Sequence, residues 1–104
     1  MSNWTDKQIQ DVWEKGAIVE GISEHFFRKD QCGAWMSRAE YGNRDSDEGW
    51  EIDHIKTKSS GGTDILSNLR PLQWKNNAGR SDGRLKTKVT SDGGLNVDVD
   101  DDAA

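Results

Sequence analysis

Residues 50–83, WEIDHIKTKSSGGTDILSNLRPLQWKNNAGRSDG, decide how this chain is read. From 50 to 56 apolar and polar side chains alternate. Trp50, Ile52 and His54 fall on one face of an extended segment, and Glu51, Asp53 and Ile55 on the other. Residues 57–64, TKSSGGTD, form a polar connection around Gly61 and Gly62. Residues 68–73, NLRPLQ, read as a second short strand in which Pro71 limits pairing. Residues 74–82 read as a weak helix, since Gly79 and two asparagines lower its propensity. The expected order is strand, long loop, strand, helix.

Four polar residues stand out in this segment: Asp53, His54, Asn68 and Asn77. Taken singly they carry little information, because an isolated histidine is usually a surface or satisfied residue and an asparagine in a turn is usually a turn former. Together they supply an imidazole that takes a proton near neutral pH, a carboxylate, and two amides able to bind a hard cation or orient a neighbour. That set is sufficient for metal-assisted hydrolysis, in which an ion stabilises charge on a phosphate while a base deprotonates water.

The ordered run of Asp53-His54-Ile55, a polar loop carrying Gly-Gly, Asn68-Leu69, and a helix with Asn77 and Arg80 resembles the HNH nuclease motif. Upstream, CGAWMSRAEYGNRDSDEGWEIDHI resembles the corresponding part of small stand-alone HNH proteins of bacteria and phages. The resemblance implies an α+β domain with a ββα-metal motif spanning residues 1–90. In it, His54 is the general base that activates water, and Asp53 and Asn77 bind a divalent metal. Asn68 holds the loop and orients the His54 imidazole. Arg80 stands where the family often has Lys and is expected at a phosphate. The third HNH letter is Asn here, and oxygen ligands of this kind favour Mg²⁺, with Mn²⁺ as the alternative. Thr57 stands at a common Pro position, and Asn76 at a position that is Cys in zinc-stapled relatives, so no structural zinc is expected. Adjacent strand residues point to opposite faces, so Asp53 and His54 share one site only if the strand bends.

The rest of the chain frames this segment. Thr5 and Gln8 make a capping box, Ile9, Val12 and Trp13 share a helical face, and Gly16 offers a stop, predicting a helix over 5–15. Residues 17–40 are apolar at Ile18, Val19, Ile22, Phe26 and Phe27 without a clean period, and 41–49 read as a loop. From about residue 91 an acidic tail is expected to be disordered, with occupation of a basic groove as the rival reading.

At 104 residues and 11.7 kDa there is room for one domain. Leu, Ile, Val and Phe supply only 18 residues, so five tryptophans must do much of the packing. The net charge of −5 is unevenly spread. Residues 56–91 hold eight basic and two acidic side chains, a basic island suited to a phosphate backbone. Lys56, Arg70, Lys75, Arg80 and Arg84 are the expected DNA contacts, positioning the backbone without reading bases. The single cysteine, Cys32, excludes an intrachain disulfide and a Cys-based zinc ribbon, and His25 is assigned with it to structure or surface. No apolar run spans a bilayer and no signal-peptide pattern opens the chain, so a cytoplasmic protein without a membrane partner is expected. The leading expectation is an Mg²⁺-dependent endonuclease acting on DNA. The rivals are a non-cleaving DNA-binding or regulatory module, and an accessory nuclease within a larger phage or bacterial assembly.

Overall fold

The computed structural model describes residues 3–80 and 84–99. Among the described residues the fold is α+β, with helices α1 (Asp6–Trp13) and α2 (Trp74–Ala78) and six strands: β1 (Phe27–Lys29), β2 (Trp35–Ser37), β3 (Trp50–His54), β4 (Leu69–Gln73), β5 (Val89–Asp92) and β6 (Leu95–Asp98). The strands pair as three antiparallel hairpins, β1 with β2, β3 with β4 and β5 with β6. Among the described residues no helix is long and apolar enough to cross a membrane.

Helix α1 begins as its sequence dictates. The Thr5 hydroxyl accepts from Gln8 N at 3.1 Å, and the Gln8 side chain accepts from Thr5 N at 2.8 Å. Two of the helix's orphan amides are thereby satisfied. The helix closes at Glu14, two residues before the expected glycine stop. Its C-terminal carbonyls are met by the buried Arg28, whose guanidinium donates to Glu14 O at 3.0 Å and Gly16 O at 3.1 Å. A cation at this end also complements the helix dipole. The buried face of α1 carries Val12 and Trp13 into a core completed by Met36, Trp50 and Leu69, with Trp4, Ile9, Tyr41 and Ile52 packed around it. Trp13 and Trp50 are fully buried, with ring centroids 5.2 Å apart. Trp35 is also buried, and its indole N–H donates to Gly93 O at 2.8 Å. Trp74 is half-buried and lies between the cations of Arg44 and Lys75.

β3 and β4 pair in continuous register from Trp50↔Gln73 to His54↔Leu69, and α2 follows β4 directly, with the Gln73 side chain capping the amides of Lys75 and Asn76. The helix is shorter than expected, and residues 81–83, which the expected helix and motif core include, lie outside the described residues.

A buried polar knot ties the hairpins together. Asp30, in the β1–β2 turn, uses one carboxylate oxygen on the amides of Cys32 and Ala34 and the other on Gln73 N and the Asn76 amide, all at 2.9 Å. Asn76 is fully buried; it donates also to Val89 O at 3.0 Å and accepts from Lys88 N and Val89 N at 2.7 and 2.8 Å. A single amide thus joins β1–β2, α2 and β5.

The expectation of disorder from residue 91 is corrected by β5 and β6. Asp92 and Leu95 face each other across Gly93-Gly94, with Gly93 at φ 61°, the left-handed geometry a two-residue hairpin turn requires. Asn96 then pins the hairpin to β2: it accepts from Trp35 N at 2.7 Å and donates to Trp35 O at 2.9 Å. The remainder of the acidic tail, residues 100–104, lies outside the described residues.

Candidate active site

The loop between β3 and β4 is closed by Asn68. Its side-chain oxygen accepts from Lys56 N at 2.8 Å, and its amide donates to Lys56 O at 3.1 Å and Thr63 O at 2.8 Å. Gly62 is needed for the same closure, since a Cβ there would lie 1.8 Å from Lys56 O. Asn68 therefore holds the loop. Its side chain reaches the imidazole only indirectly, by delivering the loop residue that touches it.

That residue is Asp64. Its carboxylate lies 2.7 Å from His54 Nε2 and 3.3 Å from Lys58 Nζ. The hydrogen bond from His54, supported by Lys58, holds the Asp64 carboxyl below the usual aspartate range. An ionised carboxylate only accepts, so the neutral imidazole carries its proton on Nε2 and keeps its lone pair on Nδ1. The Trp4 ring packs against the imidazole, with centroids 5.7 Å apart. Neither Asp64 nor Trp4 was selected by the sequence reading.

Asp53 leaves the opposite face of β3. The ladder is unbroken through His54↔Leu69, so no bulge swings the two side chains together. Asp53 is 5% exposed, and both its oxygens are engaged. Arg70, its cross-strand partner, donates from Nε at 2.7 Å, and Arg80 donates from Nη1, which also reaches His54 O at 2.7 Å. Asn77 approaches the same face two residues earlier: its amide donates to Glu51 at 2.8 Å, and Glu51 is clamped by Arg44 at 2.7 and 2.8 Å. Burial alone would raise the Glu51 carboxyl, and the hydrogen bonds from Arg44 and Asn77 more than offset it, leaving its pKa lowered. Glu51 is the residue the alternation could have supplied, because it shares a strand face with Asp53.

The basic residues divide into two groups. Lys56 and Arg84 are exposed. Arg70 and Arg80, expected to face phosphate, turn inward to Asp53 with side chains 13% and 11% exposed, and Lys75 lies 3.3 Å from Asp98. A buried carboxylate outcompetes water for these guanidinium groups.

The donor chemistry suits a hard cation: Asp53 with the Asn77 carbonyl offers oxygens alone, and Mg²⁺ commonly keeps one or two carboxylates with water and phosphate in its remaining positions. Among the described residues no three His, Cys, Asp or Glu side chains gather as a metal cluster. A cation at Asp53 would have to displace Arg80.

Comparison with protein-family models, curated proteins and solved structures returns no match to this chain.

Proposed function

We propose that this protein is a metal-dependent DNA endonuclease of the HNH type. The observation that supports the reading is the loop end of the β3–β4 hairpin, where an imidazole oriented by a carboxylate and a buried aspartate leave opposite faces of one strand end. In-line attack on phosphorus needs a base beside the entering water and charge stabilisation toward the leaving oxygen on the far side. His54 Nδ1 takes the proton from water, and Asp64 stabilises the resulting imidazolium through Nε2. Asp53 and Asn77 would hold the divalent ion, most simply Mg²⁺, whose chemistry is to neutralise charge on the phosphate. Asn68 keeps Asp64 in place, and the exposed Lys56 and Arg84 supply basic charge for the DNA backbone. The test is conversion of supercoiled plasmid to nicked or linear product with Mg²⁺ and with EDTA. Cleavage that EDTA abolishes supports the reading.

The engagement of both Asp53 oxygens by arginine favours a second reading, a non-cleaving DNA-binding or regulatory module on the same fold. Salt-sensitive DNA binding with no cleavage under Mg²⁺ or Mn²⁺ would select it.

A further inference from the structure

Beside the β3–β4 hairpin, a cleft of about 310 Å³ opens between the end of α1 and the β1–β2 turn. Its lining includes Lys15, Lys29 and Arg70, together with Ile55 and Pro71 from the hairpin itself. Among the described residues the one acidic side chain in the lining is Asp30, and its oxygens are spent on the buried knot described above. Lys15 donates to the carbonyls of Leu66 and Leu69, which are neutral partners, so its charge is held in place without being cancelled. The Lys29 ammonium rests 4.8 Å from the Trp35 ring centroid, again a neutral partner. Among the described residues neither lysine has a carboxylate within ion-pair distance. Two lysines with neutral partners, beside an arginine that Asp53 engages, leave the residues lining the cleft net positive, and a concavity of this size with net positive charge favours a small anion. The cleft also adjoins Ile55 and Arg70, the neighbours of His54 and Leu69, so an anion there sits close to the candidate active site.

We propose that this cleft is a second phosphate site, which takes a backbone phosphodiester of the DNA strand flanking the one at His54. Lys15 and Lys29, both outside the basic island of residues 56–91, thereby join the nucleic-acid interface. The proposal rests on the nuclease reading for its ligand and on the cleft alone for its residues.

Lys29→Met is the informative variant, because Lys15→Met would also remove two hydrogen bonds to the chain. Binding of a short labelled DNA duplex is measured across a salt titration for the wild type, for Lys29→Met, and for Lys7→Met, whose lysine is paired with Asp11 at 2.8 Å. Each phosphate contact contributes about 0.9 to the slope of log K against log salt. Lys29→Met is expected to lower the slope by roughly that amount, and Lys7→Met to leave it unchanged. An unchanged slope in Lys29→Met with intact wild-type binding overturns the cleft and leaves the nuclease reading standing. Absence of duplex binding by the wild type overturns both. In a parallel arm, inorganic phosphate replaces chloride at equal ionic strength. Phosphate that displaces the duplex from the wild type more readily than from Lys29→Met supports a shared phosphate site in the cleft, and equal displacement from both overturns it.

Discussion

Arg80→Met tests whether a guanidinium holds the position of the cation. Arg80 bonds Asp53 and reaches His54 O at 2.7 Å, with its side chain 11% exposed and Asp53 5% exposed. Hydrogen bonds to charged groups contribute roughly 1.5–3 kcal/mol, whereas a buried charge stripped of every partner costs about 3–5 kcal/mol. Asp53 keeps Arg70 at 2.7 Å, so the loss falls at the lower figure, about 2 kcal/mol. For a domain of this size that lowers Tm by roughly 8–16 °C. A divalent ion at a hundred times its Kd returns about 2.7 kcal/mol, enough to recover the deficit. The assay is thermal unfolding followed by tryptophan fluorescence, since Trp13 and Trp50 are fully buried, with Mn²⁺ or with EDTA. Mn²⁺ is expected to raise the Tm of Arg80→Met well above its effect on the wild type, where it must first expel the guanidinium. An equal rise in both proteins, or none in the variant, refutes the competition.

Asp64→Asn is expected to leave DNA affinity unchanged and to slow cleavage, by less than the roughly 10²–10⁴-fold attached to the base itself. Glu51 has a lowered carboxyl pKa in the fold, so its contribution to stability is complete above its ordinary value of 4.5 and is lost as pH falls through the depressed value. Urea unfolding of Glu51→Gln is expected to lack that component of the acid sensitivity seen in the wild type. Asn76→Ala leaves Asp30 and the amides of Lys88 and Val89 short of partners in a sealed site, a loss of about 4 kcal/mol at roughly 1–3 kcal/mol per orphaned group. Its midpoint in urea is expected to fall sharply, and a loss under 1 kcal/mol would show that the knot contributes little (about the effect of an exposed change).

The parts of the fold that were legible in the sequence are those written in local chemistry. The Thr5 and Gln8 box starts α1, and the alternation from Trp50 places β3 to within two residues of its end. β1 was illegible because three residues are too few to express a period of two. β5 and β6 were misread because the acidic composition outweighed a hairpin signal that was present: Asp92-Gly93-Gly94 followed by Leu95 and Val97 in alternation. In the site, the strand pattern correctly separated His54 from Asp53, and the two did remain on opposite faces. The inward turn of Arg70 and Arg80 was hidden, since a sequence records charge without direction, and only the burial of Asp53 decides which cations it captures. Asp64 was hidden for another reason: its place beside His54 depends on the loop closure made by Asn68 and Gly62, which act across the connection rather than along it.

The proposal that His54 withdraws the proton from water is tested most directly by one comparison of rates. Plasmid nicking with Mg²⁺ is timed for the wild type and for His54→Ala, each shown by its tryptophan fluorescence to be folded. The account expects the variant to be slower by about 10²–10⁴-fold with DNA binding retained. Cleavage by His54→Ala at the wild-type rate contradicts it.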